Sequence, residues 1–453
     1  MKKKQDMYKG EKFYSKVLAL VLPMALQNLI NVGVTAADVV MLGRVGEKVL
    51  SGASLGGQVP FILNLFLFGI ASGAAVLTAQ YWGKKDTVSI EKILGIGLTT
   101  AMTAGILFMI ISFTIPKQIM GIFTSDPEVI SYGVQYLKIL AFSYPIVTFT
   151  ATYLNIIKSI ERVVISTVVY ASSLLLNIII NAILIFGLFG APKLGIVGAA
   201  IGTLCARILE LVIVAFYAKF RNREVRVKLS YMLHMDKTLF KDFFVYSGPV
   251  ILNELLWGLA VSANSAIIGH LGSSATAAYS VAQTTRQLAM VIVLGLANAT
   301  AIMIGKVIGE KREEMAIIYA RRFMKLTTIC SLLGSVLVVA IRPMLISGLG
   351  FSGQTAEYMS VFLIFLAVHI VFHGLSTTII VGVLRSGGDT RFGMCVDAGS
   401  MWGFSILWGF LAAFVFKAPV ELVYAILLSD EILKMPLSLF RYRSKKWLKS
   451  VTR

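Results

Sequence analysis

Charged side chains are scarce in this chain. Asp, Glu, Lys and Arg make up 14% of its 453 residues, whereas 57% of the residues are hydrophobic. A soluble domain carries roughly 25% charged and about 45–50% apolar residues. Apolar stretches of about 20 residues recur from end to end, and in lipid their backbone groups are satisfied only within helices. The composition therefore excludes a soluble globular protein and predicts an all-α polytopic membrane protein.

Cysteines and catalytic motifs are also few. Cys205, Cys330 and Cys395 lie singly in apolar segments, without the spacing of a metal site or a disulfide framework. There is no Walker-type glycine loop, so ATP does not power this chain by itself, and HExxH does not occur. We therefore expect neither an enzyme nor a cofactor, and a membrane protein of this kind is predicted to be a secondary transporter.

Acidic residues are outnumbered by basic ones, 23 to 42, which gives a net charge of +19. We attribute the excess to cytoplasmic loops under the positive-inside rule, and not to nucleic-acid binding. Both termini are then predicted to be cytoplasmic in the inner (plasma) membrane. The first apolar segment is too long for a signal-peptide core, so it should remain as the first span. Hydropathy predicts twelve spans, near 14–43, 55–82, 91–116, 132–157, 164–189, 194–218, 243–269, 278–306, 321–346, 357–384, 391–416 and 419–440.

The two halves of the chain repeat. The segment PMALQNLINVGVTAADVVMLGRVG at 23–46 aligns without gaps on PVILNELLWGLAVSANSAIIGHLG at 249–272, an offset of 226. Because six spans separate equivalent points, the copies share one orientation and are related by a pseudo-two-fold axis along the membrane normal. We predict an amino-terminal six-helix bundle (1–218), a cytoplasmic linker (219–242) and a carboxy-terminal six-helix bundle with a basic tail (243–453).

Few polar groups in the first half could carry chemistry. Asp38 lies in the first span amid apolar residues, either at the outer helix end or facing the bundle interior as a proton or sodium site. Asn177 and Asn181 share one face of the fifth span at i,i+4 spacing. Their amides would bond to each other and to Asn155 or Tyr136 as a structural clamp, or supply neutral oxygens to a cation beside Asp38. Both interpretations remain open at this point.

The second half offers a polar network. Glu254, Arg286 and Asp397 are predicted to place one basic side chain between two carboxylates, as a low-dielectric interior requires. That arrangement fits either a structural ion pair or a functional site. His369 and His373 lie at i,i+4 in the tenth span, and without further ligands nearby they favour a protonatable pair over a metal site.

Three segments resemble the multidrug and toxic compound extrusion (MATE) family, and the resemblance covers nearly the whole chain. They are DVVMLGRVG from Asp38, LNIIINAILIFGLFGAPKLGIVGAAIGT from Leu176 to Thr203, and GVLRSGGDTR from Gly382 to Arg391. The resemblance implies two six-helix bundles around a central cleft. It also implies efflux of amphipathic, cationic compounds such as drugs and dyes, driven by inward Na⁺ or H⁺ flow.

The resemblance assigns an ion site to the first half. Asp38 matches the first-helix aspartate of the family's cation site and Asn177 its fifth-helix asparagine, with Tyr136 and Asn155 as companions. Asp38 and Asn177 would be metal ligands only if Na⁺ is the coupling ion. Asn181 stands where many members have an aspartate, which leaves the ion and its stoichiometry open.

The second half departs from the family pattern. Better-known relatives carry an acidic residue in helix ten where this chain has His373-Gly374, and Glu254 lies about a turn earlier than their helix-seven glutamate. The family's second ion site is therefore carried over only weakly.

Two other functions compete with a cation-coupled antiporter. A flippase for a lipid-linked saccharide would need a cationic cleft, for which the sequence offers Lys138, Arg207 and Arg286 within spans. A non-transporting subunit of a membrane complex is the third alternative. As partners we expect small amphipathic substrates and the bilayer, with the protein as a monomer.

Overall fold

The computed structural model describes residues 13–348 and 352–452, and in these residues the regular structure is helical. The helices are α1 Phe13–Gly43, α2 Glu47–Gly83, α3 Thr87–Thr114, α4 Pro116–Phe123, α5 Pro127–Leu140, α6 Ser143–Ser159, α7 Val164–Phe186, α8 Ile196–Arg221, α9 Leu229–Leu233, α10 Lys237–His270, α11 Ser273–Gly309, α12 Glu313–Gly348, α13 Gly353–Leu384, α14 Thr390–Val415, α15 Val420–Leu427 and α16 Asp430–Ser444.

Twelve positions in this order correspond to the twelve predicted spans. Within the described part of the chain, ten helices are long and apolar enough to cross a membrane by themselves. The bent pair α5 and α6, with a 54° angle between its members, supplies another span. The last position is filled by α15 and α16, which are separated at Leu428 and Ser429. The predicted polytopic all-α fold is therefore confirmed.

The break between α15 and α16 has a local cause. The Leu428 amide still donates to the Tyr424 carbonyl, but the Ser429 amide turns back to the Ile426 carbonyl at 3.0 Å, and the Ser429 hydroxyl donates to the same carbonyl at 2.6 Å. Asp430 and Glu431 then open α16, where negative charge is favoured by the helix dipole. The break thus places three successive polar side chains inside the last span.

The helices form two lobes, α1–α8 and α10–α16. The amino-terminal lobe buries a core that includes Leu63, Ile70 and Leu77, whereas Phe362 and Leu366 lie in a separate core of the carboxy-terminal lobe. The connection between lobes runs from the end of α8 at Arg221 to the start of α10 at Lys237 and contains α9. The domain boundaries after residues 218 and 242 stay predictions, and they lie near the helix ends at Arg221 and Lys237.

Helix α12 is the least buried of the candidate spans in the described residues. Leu333 and Val336 are 64% and 65% exposed in the isolated chain, on a helix without charged residues in this stretch. Such a contiguous apolar surface suits a hydrocarbon environment and would be unusual on a soluble monomer. The chain is accordingly a multi-pass membrane protein.

The lobes meet at one end of the molecule, which we call the basic end. It carries the loops 84–86, 160–163, 222–236, 310–312 and 385–389 and the tail 445–452. Here Gln80 of α2 donates to the backbone carbonyls of Ser386 (2.8 Å) and Lys449 (3.1 Å) and accepts from the amide of Val451 (2.8 Å). An ion pair of 2.5 Å joins Glu161 and Lys306 across the same interface.

Glycine permits this close approach. Gly69 and Gly73 of α2 face Ile251 and Ser247 of α10, and an added Cβ at either glycine would overlap the opposing residue. Because helix backbones approach this closely only where side chains are absent, larger residues here would separate the lobes. We call the closed contact between the lobes at the basic end the seal. It depends on both the two glycines and the polar contacts of Gln80, Glu161 and Lys306.

Candidate functional site

The amino-terminal lobe brings Asp38 together with the two asparagines of α7. The Asn181 amide donates to Asp38 Oδ1 at 2.7 Å and to Asn177 Oδ1 at 3.2 Å. Asn177 in turn donates to Thr203 Oγ1 of α8 at 3.4 Å. Asn177 and Asn181 are buried, and Asp38 is half-buried. Three helices therefore meet at one carboxylate inside the lobe.

One acceptor of this cluster has no donor. The Asn181 carbonyl oxygen is buried without a hydrogen-bond partner in the described residues, and it lies against Gly202 of α8. A side chain at position 202 would collide with that oxygen. Gly202 therefore fixes how closely α7 and α8 approach beside Asp38.

The Asp38 carboxylate lacks a salt-bridge partner in the described part of the chain, and its Oδ2 atom makes no hydrogen bond there. The cation that interacts electrostatically with Asp38 is Arg207, which is itself paired with Glu210 at 2.7 Å. A carboxylate removed from water in this way is unfavourable unless a proton or metal ion accompanies it. The site has one oxygen available for that ion.

Only one of the two predicted companions interacts with this cluster in the described residues. Tyr136 of α5 is partly buried and close enough to interact electrostatically with Asp38, although no hydrogen bond joins them. Asn155 donates to the Ala151 carbonyl of its own helix at 2.8 Å and lines the cavity between the lobes. The prediction that Asn155 accompanies Asp38 is therefore not supported by the geometry.

The predicted trio of Glu254, Arg286 and Asp397 does not form. Glu254 instead pairs with Arg385 at 2.8 Å, and Asp397 pairs with Lys434 at 2.7 Å. Arg286 lines a small cavity elsewhere in the same lobe. Glu254 and Asp397 do form ion pairs, as predicted. The predicted partner, Arg286, was wrong, because the rotation of each helix about its axis decides which long side chains meet.

Lys434 of α16 is the centre of the carboxy-terminal network. Besides Asp397, it contacts Glu431 at 2.7 Å and Asp430 at 3.5 Å, and only 5% of its side chain is exposed. Asn253 donates to the other oxygen of Asp397 at 2.9 Å. One ammonium thus lies among three carboxylates, whereas Asp38 has no cation within ion-pair distance in the described residues.

His369 and His373 join the same network. Their rings are stacked with centroids 5.2 Å apart, and His373 Nδ1 lies 2.5 Å from Glu431 Oε1. The other Glu431 oxygen accepts a hydrogen bond from Ser376.

Potential ligand atoms of His369, His373 and Glu431 lie within 4.8 Å of one another, as a metal site would require. Lys434, however, lies 2.7 Å from Glu431 and would repel a divalent ion. The donor set therefore fits a protonatable network better than a metal.

The cleft between the lobes holds a cavity of about 290 Å³ just inside the seal. Its lining includes α1, α2, α6, α11 and α13. The two charged residues in the lining are both basic, Lys158 and Arg385. Amide side chains predominate among the other polar groups, namely Gln27, Asn28, Asn31, Asn64, Asn155 and Asn298.

Sequence analysis missed four charged residues of these sites: Lys158, Arg385, Glu431 and Lys434. The stretch DEILK from Asp430 carried a detectable signal, because its acidic and basic residues lie at i,i+3 and i,i+4 within an apolar segment. Lys158 and Arg385 were assigned to loops because the predicted spans ended one residue before each of them.

The comparisons with known proteins agree with this architecture. The MatE family model matches residues 23–183 and again 249–411, at the offset of the internal repeat. The probable multidrug resistance protein NorM of Bradyrhizobium diazoefficiens is 26% identical over 411 residues, 87% of this chain and 86% of that protein. The probable multidrug resistance protein YoeA of Bacillus subtilis is 25% identical over 292 residues, 64% of this chain but 63% of its own length.

The fold has counterparts among solved structures. A MATE protein in a bent conformation superposes with a TM-score of 0.87 over 96% of each chain at 16% sequence identity. Together with the two matches to the family model, each of which lies within one lobe, this identifies the chain as a member of the MATE family of membrane transporters.

Proposed function

We propose that this chain is a cation-coupled antiporter that exports amphipathic organic compounds by alternating access. The observation that carries the proposal is the Asp38 carboxylate, which is withdrawn from water, held by one amide and lacks a paired cation in the described residues. Relatives named multidrug resistance proteins support the class of cargo. Either Na⁺ or H⁺ would serve at Asp38, and a cationic cargo remains an expectation from the family resemblance.

The asymmetry between the lobes supports Asp38 as the coupling group. In the carboxy-terminal lobe, Glu254 and Asp397 already have Arg385 and Lys434 as partners. An ion entering there would meet the internal cation beside each of these carboxylates, whereas Asp38 offers an unpaired oxygen. A bound ion shifts the conformational balance only by its differential affinity for the two states. We infer that this difference arises where α1, α7 and α8 meet.

We also propose that the basic end faces the cytoplasm, with both termini on that side of the plasma membrane. The positive-inside rule supports this orientation. With the seal of Gln80, Glu161 and Lys306 closed, the conformation described above would then be the one in which cargo leaves the cell.

The test is gradient-driven export of several dyes from proteoliposomes, with a Na⁺ or pH gradient. Asp38→Asn removes the charge and keeps the shape, so we expect coupled export to be abolished while the protein still folds. Asp126→Asn is the matched control, since Asp126 caps α5 and Asn is an equally good cap. Unchanged export by Asp38→Asn would remove Asp38 from the mechanism.

A flippase for a lipid-linked saccharide is the second candidate. It is favoured by the two basic residues in the cavity lining, because a phosphate-bearing cargo needs cationic partners. Movement of labelled lipid between leaflets, with no gradient-driven export of free dyes, would select it. The absence of both activities would favour a non-transporting subunit.

A further inference from the structure

The cavity between the lobes has an uncompensated positive charge. Lys158 of α6 makes one hydrogen bond in the described part of the chain, to the neutral Gln27 side chain at 3.3 Å. No carboxylate among those residues lies within ion-pair distance of its ammonium. Lys158 is half-buried, and an ammonium in such a position is costly without a counter-ion.

The second cation of the cavity is already neutralised. Arg385 donates to Glu254 at 2.8 Å and to Ser72 at 3.0 Å, and its side chain is 5% exposed. Glu254 does not itself line the cavity. Arg385 and Glu254 cancel, so Lys158 leaves the cavity with one net positive charge.

Free amides line the same cavity as Lys158. The side chains of Asn28, Asn31, Asn64 and Asn298 line the cavity and have no hydrogen-bond partner within residues 13–348 and 352–452. Each amide can donate two hydrogen bonds. An anionic group bound in the cavity would therefore meet an ammonium and neutral donors in the lining, whereas an organic cation would meet the ammonium and no carboxylate there.

We propose that the cavity is an anion-recognising subsite, in which Lys158 and the surrounding amides bind the single negative head group of an amphipathic cargo. This names the cargo class of the transporter proposed above and therefore rests on that proposal. It departs from the cationic cargo that the family resemblance implies. The apolar part of the cargo contacts Leu67, Phe68 and Ile302, which lie in the same lining.

The shared chemistry is a carboxylate or phosphate on an apolar body, from either a free amphiphile or a lipid head group. The probes are 9-anthracenecarboxylate, 9-anthracenylmethylammonium and the neutral 9-anthracenemethanol, which share one ring system and differ in charge. Binding to purified wild-type protein is measured by anthracene fluorescence, and export from proteoliposomes is measured under Na⁺ and pH gradients. A parallel arm follows flipping of a fluorescent phosphatidylglycerol.

The variants are Lys158→Gln, which removes the charge, and Lys158→Arg, which keeps it. Lys138→Gln is the matched control, because Lys138 is exposed and lies over the Phe113 ring outside the cavity. We expect wild-type protein to bind the carboxylate about tenfold more tightly than the ammonium, which is the difference in affinity that one charge-assisted hydrogen bond contributes. Lys158→Gln should abolish this preference, and both other variants should retain it.

Equal or tighter binding of the ammonium by wild type, or a preference that survives in Lys158→Gln, would overturn the anion subsite. The transporter itself would still stand if the ammonium were exported. Binding of the carboxylate without movement of any probe under either gradient would overturn the proposed export and leave the subsite intact. Flipping of the anionic lipid without export of the free carboxylate would support the subsite and assign its ligand to lipid.

Discussion

Gln80 is the residue whose replacement should most directly loosen the seal at the basic end. Its side chain is fully buried, and its three hydrogen bonds all cross to the other lobe. When the lobes separate there, all three are lost. Gln80→Ala therefore removes stabilisation from the closed arrangement and leaves the open one nearly unaffected.

The magnitude follows from the number of bonds. A hydrogen bond contributes a net free energy of about 1 kcal/mol, so three contribute about 3 kcal/mol. A free-energy change of that size shifts a two-state equilibrium by roughly 150-fold. The Glu161–Lys306 ion pair remains in the variant, so the closed state should persist as a smaller fraction.

The assay uses a cysteine placed inside the seal. Ser247 is fully buried against Gly73, so Ser247→Cys reports opening when it reacts with a maleimide in purified protein. The natural cysteines Cys205, Cys330 and Cys395 are first replaced by alanine. We expect Gln80→Ala to raise the labelling rate on the order of 100-fold.

Two controls separate opening from unfolding. Gln58→Ala changes the same residue type at an exposed position of α2 and should leave the labelling rate unchanged. Ser331→Cys, buried against Gly374 within one lobe, should stay unreactive in the Gln80→Ala background. A labelling rate of Ser247→Cys that stays within twofold of the parent would refute the reasoning.

Two predictions concern stability. Lys434→Met should destabilise the protein by about 3–5 kcal/mol, because it leaves Asp397, Asp430 and Glu431 without their shared ammonium; thermal unfolding in detergent measures this, with the exposed Lys446→Met as control, and equal melting temperatures would contradict it. Asp236→Ala should cost about 1 kcal/mol at neutral pH, because Asp236 caps α10 by accepting from the Thr238 and Leu239 amides. The Leu239 amide and the Lys92 ammonium lower the pKa of Asp236 below its ordinary 3.8, so its contribution is present above that pH and lost as the pH falls through the lower folded value. The difference between wild type and Asp236→Ala in thermal unfolding should therefore shrink in acid, and a difference that stays constant would exclude the charge as its cause.

The fold was predictable because lipid imposes a strict rule on the backbone. Each apolar segment had to become a helix, and the predicted first span, 14–43, differs from α1 by one residue at its start. The internal repeat predicted two lobes of the same orientation, because equivalent segments that are six spans apart cross the membrane in the same direction. Neither inference required knowledge of any side-chain contact.

The charged contacts were predictable only in part. Asp38 and Asn181 were identified because isolated polar groups in apolar spans are rare, but the direct hydrogen bond from Asn181 to Asp38 was not predicted. The partner of Asp397 was not predicted either, because Lys434 lies 37 residues away beyond a helix break that hydropathy does not reveal. Lys158 was missed because α6 continues to Ser159 and carries it into the cavity.

The tail beyond α16 has a practical consequence. Trp447 is buried against Gly387, and the backbone of Lys449 and Val451 reaches the opposite lobe at Gln80. A purification handle or reporter domain attached just after these residues would disturb the hydrogen bonds that join the tail to Gln80 in the seal. The transport rate measured with such an attachment would then differ from that of the same protein labelled in a surface loop far from the seal.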